Sequence, residues 1–290
     1  MMIWLIGHKG MLGSEVHKLL IERGMPCLAS DMEVDITDIH RLRAHAMDRP
    51  LSWIINCSAY TAVDRAEEER ELAFRINSDG VRNIALIAAE KRAKLIHIST
   101  DYVFDGTKEG AYLETDPPNP AGVYGASKYE GERHIEASLA SYFILRTAWL
   151  YGRQGNNFVH TMIRLFQERE EVRIVSDQWG SPTLAGDLAG AIVHIVSRDT
   201  NQYGIYHFTN EGRTHWHAFA SVIYQLAREQ GLVERDVRII PVTTDQYPTR
   251  TRRPANSYLS KEKIRRVFGI SIRPWQEALA EFIRGLSEGK

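Results

Sequence analysis

Short apolar runs alternate along the chain with longer segments whose apolar residues recur every three or four positions. The runs MIWLIG (2–7), PCLAS (26–30), WIINCSA (53–59), KLIHIST (94–100) and YFILRT (142–147) each predict a strand buried on both faces. Between them, LGSEVHKLLIERG (12–24), ELAFRINSDGVRNIALIAAEKR (71–92) and ASKYEGERHIEAS (126–138) carry apolar residues at helical spacing. This alternation predicts an α/β fold with right-handed crossovers and a doubly wound parallel sheet, with ligands bound at the carboxyl ends of its strands. Residues 1–150 then form a dinucleotide-binding domain. Beyond them the rhythm is broken by YGRQGNNF (151–158), SDQWGSPT (176–183) and YPTRTRRPANS (247–257), loops rich in Gly, Pro and Asn. Residues 151–290 are expected to be mainly a smaller substrate-binding domain, with the chain returning to the first domain near 184–200 and 236–245.

Composition narrows the functional classes. The 290 residues, 43% hydrophobic, suffice for one large or two modest domains. A formal net charge of -1 gives no global field to attract nucleic acid or anionic lipid. Cys27 and Cys57, each in an apolar stretch, form neither a disulfide framework nor a zinc site and read as buried thiols. The N-terminal apolar run of about five residues is too short for a signal h-region or a membrane span, so a cytoplasmic enzyme is expected. His215 and His217 in THWHAF lack a third ligand at sensible spacing and read as the start of a helix, so no metal site is assigned.

Candidate chemistry begins at IGHKGMLGSEV, where Gly7, Gly10 and Gly13 follow the first strand and open the first helix. Glycines permit a tight turn and close approach of a pyrophosphate, and the helix N-terminus supplies free N–H groups. The spacing is G-x-x-G-x-x-G, not G-x-G-x-x-G. Asp31 closes the second strand, where a carboxylate accepts from adenosine ribose hydroxyls and favours NAD; Lys9 in the glycine turn would neutralise a 2′-phosphate and leaves NADP open. Asp35 fits either a contact with adenine or a helix N-cap. In NCSAYTAVDRAE (56–67), the small Ser58 and Ala59 allow backbone to approach the cofactor, and Tyr60 would stack on it or close over it.

Of twelve tyrosines only Tyr124 has a lysine four residues on, at Lys128, which puts both on one helix face. An ammonium beside a phenol favours the phenolate and suits the pair to proton transfer. Thr100, in HISTDYVFDG (97–106) at the end of the fourth strand, would donate to the same carbonyl oxygen that Tyr124 protonates. Asp101 fits a turn or a ligand contact, and Trp149 a ligand contact or the core. Arg250, Arg252 and Arg253 offer forks for phosphate oxygens, with Arg253 favoured over the other two, which equally suit a solvated loop. Asn156 and Asn157 fit either sugar hydroxyls or a turn.

Together, G-x-x-G-x-x-G, STDYVFDG and YGASK resemble the extended short-chain dehydrogenase/reductases, whose fold is of Rossmann type. NCSAYTAVDRAE, LRTAWLYGRQGNNFVHTM, VSDQWGSPT and RPANSYLS resemble the dTDP-4-dehydrorhamnose reductases within them, over nearly the whole chain. The resemblance implies reduction of the C4 ketone of dTDP-4-dehydro-6-deoxy-L-mannose to dTDP-L-rhamnose by NADPH or NADH, a step toward cell-surface polysaccharide. It implies Tyr124 as proton donor, Lys128 as the group that orients ribose and lowers the tyrosine pKa, and Thr100 as the group that tunes the carbonyl. It further implies cofactor contacts from Gly10, Met11, Leu12, Asp31, Asp35, Ile36, Ser58, Ala59 and Tyr60, and nucleotide-sugar contacts from Thr100, Asp101 and Trp149. Related dehydratases carry glutamate where Tyr102 stands, so the base for elimination is missing here. Some relatives place Mg2+ at a dimer contact; Glu15 and Asp187 stand at those positions, but Asp187 departs from the expected glutamate, leaving monomer or homodimer open. Two other readings stay open: a reductase of another nucleotide-linked 4-keto-6-deoxy sugar, and a non-catalytic dinucleotide-binding regulatory subunit.

Overall fold

The computed structural model describes residues 2–288. The five apolar runs form strands β1 (Met2–Ile6), β2 (Cys27–Ser30), β3 (Leu51–Asn56), β4 (Lys94–Thr100) and β5 (Tyr142–Thr147). Interleaved with them are helices α1 (Met11–Glu22), α2 (Ile39–Ala46), α3 (Arg70–Phe74), α4 (Val81–Lys91) and α5 (Val123–Ser138). A sixth strand, Gly204–His207, joins the edge beside β5, giving an all-parallel sheet in the order 204–207, β5, β4, β3, β1, β2. Strand order reverses about β1, whose neighbours are β2 and β3. This is the doubly wound Rossmann-type sheet.

The continuous apolar runs split by the period of two that strand geometry imposes. Ile3, Leu5, Trp53, Ile55, Phe143 and Leu145 face α1 and the helix Ala185–Arg198. Trp4, Ile6, Ile54, Leu95 and Ile144 face α2, α4 and α5. Each fully buried large aliphatic or aromatic side chain contributes about 1.5–3 kcal/mol, which explains why a sheet covered on both faces needs such runs. Trp4 can be wholly buried because its indole N–H donates to Ser30 Oγ at 2.8 Å.

Two local features differ from the sequence pattern. The expected helix over 71–92 is interrupted at Arg75–Gly80 by a wide π-type turn. Asn77 in that turn bonds the backbone of Tyr60 and donates to Ser127 Oγ on α5, ties that reach across elements and widen the helix. The segment expected to return near 236–245 instead pairs Arg238–Val242 with Glu171–Val175, outside the central sheet. Val172, Ile174 and Ile239 point into a separate cluster built by the helices Phe158–Glu168, Trp216–Glu229 and Trp275–Ser287. The segment 185–198 does pack on α1, and the strand 204–207 extends the sheet.

Candidate active site

The carboxyl ends of β1, β3 and β4 open into a cleft of about 930 Å³ where the strand order reverses. Gly7 leaves β1 with φ +79°, and a Cβ there would lie 2.8 Å from Ser58 N. Gly13 has still less room, since its Cβ would fall 1.9 Å from the Gly7 carbonyl oxygen. The two close approaches draw the start of α1 against the strand ends. Its N-cap, Gly10, has no side chain to occupy the first-turn N–H groups, so a helix dipole and unpartnered donors face the cleft, as a pyrophosphate requires. Gly7, Gly10, Met11 and Leu12 line the cleft, while Gly13 is corrected to a packing role beneath the turn.

At the end of β2, Asp31 accepts from the backbone N–H of Lys9 and of Met32, each at 2.9 Å. Lys9 Nζ lies 3.6 Å from Glu33 and Arg41 lies 3.4 Å from Asp38, both exposed pairs. Asp35 lines the cleft and accepts from the N–H and hydroxyl of Thr37, bonds that hold its carboxyl below the usual range. The N-cap of α2 is Asp38, which leaves Asp35 in its loop. Ile36, Ser58 and Ala59 line the same wall. Tyr60 is outside the lining: its N–H donates to Asn77 and its hydroxyl to Glu69 at 2.7 Å, so the expectation that it closes over the cofactor is corrected.

Tyr124 sits in the first turn of α5 and Lys128 one turn later, and both line the cleft with Thr100. Gly125 makes this possible, because a Cβ there would meet the Tyr102 carbonyl oxygen at 2.1 Å. Burial pushes the Tyr124 phenol above its ordinary pKa, a contact with Thr100 opposing it. Lys128 is pulled down to about 8 by burial, with Glu132 opposing. Its amine is turned to the Ile98 carbonyl at 2.7 Å and to His97 Nε2 at 3.3 Å. Burial thus moves Tyr124 in the direction opposite to the one expected from Lys128 and favours the protonated phenol.

Thr100 donates its hydroxyl to Asp101 Oδ1 at 2.9 Å and accepts from the Tyr102 N–H at 3.2 Å. Its hydroxyl is thus placed between Asp101, which accepts from it here, and the Tyr124 phenol, whose rise it opposes. Burial raises Asp101 to about 6, against hydrogen bonding from Ser257 and Thr100. Asp101 Oδ2 and Ser99 Oγ are buried without partners, and both residues line the cleft, so polar groups of a ligand would complete them. Tyr102 is pushed to about 12 by burial and accepts from Arg253 at 3.0 Å.

Trp149 lines the cleft at φ +50°, a strained value for a bulky residue, held by stacking on Trp216 with ring centroids 3.6 Å apart. Asn157 is corrected: it caps the helix that follows, accepting from His160 N–H, and its amide donates to Gly152 O, so no polar atom is free. Asn156 lines the cleft instead. Arg253 lies behind the wall, paired with Asp64 at 2.7 Å, and Arg250 pairs with Glu68. Asp187 is engaged by Arg273 at 2.8 Å on both oxygens and by Asn210, an arrangement that does not fit a magnesium ligand. Among the described residues no group of three His, Cys, Asp or Glu is placed to hold a metal, and no helix is long and apolar enough to cross a membrane. His215 is the N-cap of the helix it precedes. The sequence pattern passed over Arg41, Arg75 and Thr147, which also line the cleft; Thr147 had a signal, as the last residue of a parallel strand.

The profile of the RmlD substrate binding domain matches residues 1–288. The dTDP-4-dehydrorhamnose reductase of Aggregatibacter actinomycetemcomitans is 42% identical over 288 residues, covering 97% of this chain and 98% of that one. The chain belongs to the dTDP-4-dehydrorhamnose reductase family. The crystal structure of a dTDP-4-dehydrorhamnose reductase from Clostridium acetobutylicum superposes with a TM-score of 0.93 at 38% identity, covering 99% of each chain. That of a Bacillus anthracis family member, in complex with NADP, gives 0.91 at 39% identity, covering 97% of this chain and 98% of the other. Family membership agrees with a cleft lined by a glycine turn, the Asp31 carboxylate at the end of β2 and the Tyr124–Lys128 pair.

Proposed function

We propose that this chain reduces the C4 ketone of dTDP-4-dehydro-6-deoxy-L-mannose to dTDP-L-rhamnose with a reduced nicotinamide dinucleotide. The observation that carries this reading is that Tyr124, Lys128 and Thr100 line the same cleft as the glycine turn. The cofactor supplies the hydride. In our reading Tyr124 protonates the oxyanion as it forms, a role that a buried neutral phenol suits. Lys128 replaces the proton, and Thr100 holds the phenol in place. Gly7, Gly10, Met11 and Leu12 take the pyrophosphate, Asp31 the adenosine ribose, and Ser58 and Ala59 allow close approach further along. Asp101, Ser99, Asn156 and Trp149 meet the nucleotide-sugar. Tyr102 leaves the site without the second carboxylate that elimination of water requires, because a phenol held near 12 is no base at neutral pH.

The ribose end suits both NADH and NADPH. Exposed ion pairs such as Lys9–Glu33 and Arg41–Asp38 are worth about 0–1 kcal/mol, so either cation turns to a 2′-phosphate at little cost. Residues 1–150, with 185–207 packed against them, form the cofactor-binding part in this reading, and most of the remainder binds substrate. Supplying purified protein with NADPH or NADH and a panel of dTDP-linked 4-keto-6-deoxy sugars tests it. Turnover restricted to the L-lyxo ketone with dTDP-L-rhamnose formed is expected. Turnover of a different ketone would reassign the substrate, and cofactor binding without turnover of any would favour a regulatory subunit.

A further inference from the structure

His97 lies in the middle of an apolar strand, fully buried, directly behind the active-site lysine. Its neighbour in the parallel register is Asn56 on β3, whose Nδ2 is 3.0 Å from His97 Nδ1. The orientation of that amide is fixed on its other side. Asn56 Oδ1 accepts from the Ser58 backbone N–H at 3.0 Å and from the Ser58 hydroxyl at 2.6 Å. A backbone N–H can only donate, so the atom facing it is oxygen and the atom facing His97 is the NH2 group. His97 Nδ1 must then accept, which places the single ring proton on Nε2. That Nε2–H is directed at Lys128 Nζ, 3.3 Å away.

An ammonium presents only donors, whereas a neutral amine offers a lone pair to Nε2–H. We propose that His97 is a positioning residue for Lys128: locked by Asn56 and Ser58 with its donor toward the lysine nitrogen, it makes Lys128 a proton source for Tyr124 in place of a fixed cation. The step balances without a further reactant. Tyr124 gives its hydroxyl proton to the C4 oxyanion, and the Lys128 ammonium returns a proton to the phenolate and is left as the amine that accepts from His97. The groups whose charge bears on Lys128 are Glu132 one turn on, paired with Arg146 of β5 at 2.6 Å, and Cys57 after β3, a thiol that burial pushes up to about 12, while Tyr124 lies one turn before it on the same helix. Glu132 is thus neutralised by its own partner, and the fall of Lys128 to about 8 agrees with the geometry. Burial holds His97 far below its usual range, so it stays neutral.

The inference rests on the reductase reading for its kinetic part and is independent of it for its spectroscopic part. In cofactor-free protein labelled with 15N-histidine, long-range proton–nitrogen spectra are expected to show His97 protonated at Nε2 alone from acid to alkaline pH. A proton on Nδ1 would overturn the assignment whatever the enzyme reduces. In the kinetic arm, His97→Gln replaces the donor by a carbonyl that accepts from the ammonium, with no change of charge. The alkaline limb of kcat, near pH 8 in the wild type by this account, is expected to move up by about one unit, a tenfold change in the proton equilibrium. A merely structural role would lower stability or kcat and leave the limb in place, which would refute the proposal. If the variant does not fold, the tautomer spectrum of the wild type still decides.

Discussion

Asp101→Asn isolates the energetic cost of the carboxyl at the end of β4. Asp101 is fully buried, with Oδ1 taken by Thr100 and Oδ2 unpartnered, and its pKa rises from 3.8 to about 6. A rise of about two units at about 1.4 kcal/mol each makes the buried anion cost ~3 kcal/mol. The sign follows from proton uptake: between the two pKa values the folded chain holds a proton that the unfolded chain has released. The stability this confers is full below the unfolded pKa and is lost as pH rises through about 6. Asparagine is nearly isosteric, keeps the oxygen that accepts from Thr100, and cannot ionise. Urea unfolding of both proteins at about pH 4 and about pH 8 reads the difference, because every other titrating group cancels between variant and wild type. The variant is expected to gain ~3 kcal/mol over the wild type on going from the acidic to the alkaline condition. A stability difference that does not change with pH would show that Asp101 ionises freely in the folded protein, and the claim of a closed, partner-hungry site at β4 would fall.

Tyr124→Phe removes the proton donor without changing the shape of the cleft, so kcat is expected to fall by about 10²–10⁴ while the cofactor dissociation constant, read by fluorescence titration, stays within twofold. Loss of cofactor binding would refute its assigned role. Gly13→Ala puts a methyl 1.9 Å from the Gly7 carbonyl oxygen, so the glycine turn must open; cofactor binding should weaken by about tenfold or more, at a stability cost of about 1–3 kcal/mol measured by denaturation. Unchanged binding would show that the turn does not hold the dinucleotide. Lys9→Ala should raise KM for NADPH several-fold and leave KM for NADH alone, and equal effects on both would remove Lys9 from the 2′-phosphate contact.

Five strands were legible because a sheet covered on both faces demands unbroken apolar runs; the run at 84–89 was told from a strand by the helical spacing of the longer segment around it. The sixth strand, Gly204–His207, was hidden by its brevity and by the polar His207 in its four residues. Tyr124, Lys128 and the glycine turn were legible because spacing alone fixes a helix face and a tight turn. What spacing does not carry is where a side chain spends its hydrogen bonds. Asn157 and Tyr60 looked available and are committed, the first as a helix cap and the second to Glu69. Thr100 lies at the expected place, and its bond to Asp101 is one that spacing does not reveal. His97 read as one more strand residue, and only the register of β3 against β4 sets it beside Asn56 and behind Lys128. The π-type turn at Arg75–Gly80 likewise depends on Asn77 reaching Tyr60 and Ser127, contacts that local sequence does not encode.

Hydride transfer to C4 of a nucleotide-linked ketone in this cleft can be followed by the fate of a labelled hydride. Wild-type protein given NADPH carrying deuterium at the transferable nicotinamide position, together with dTDP-4-dehydro-6-deoxy-L-mannose, should yield dTDP-L-rhamnose with one deuterium at C4 for each cofactor oxidised. Label retained on the cofactor, or a product epimeric at C4, would contradict the account.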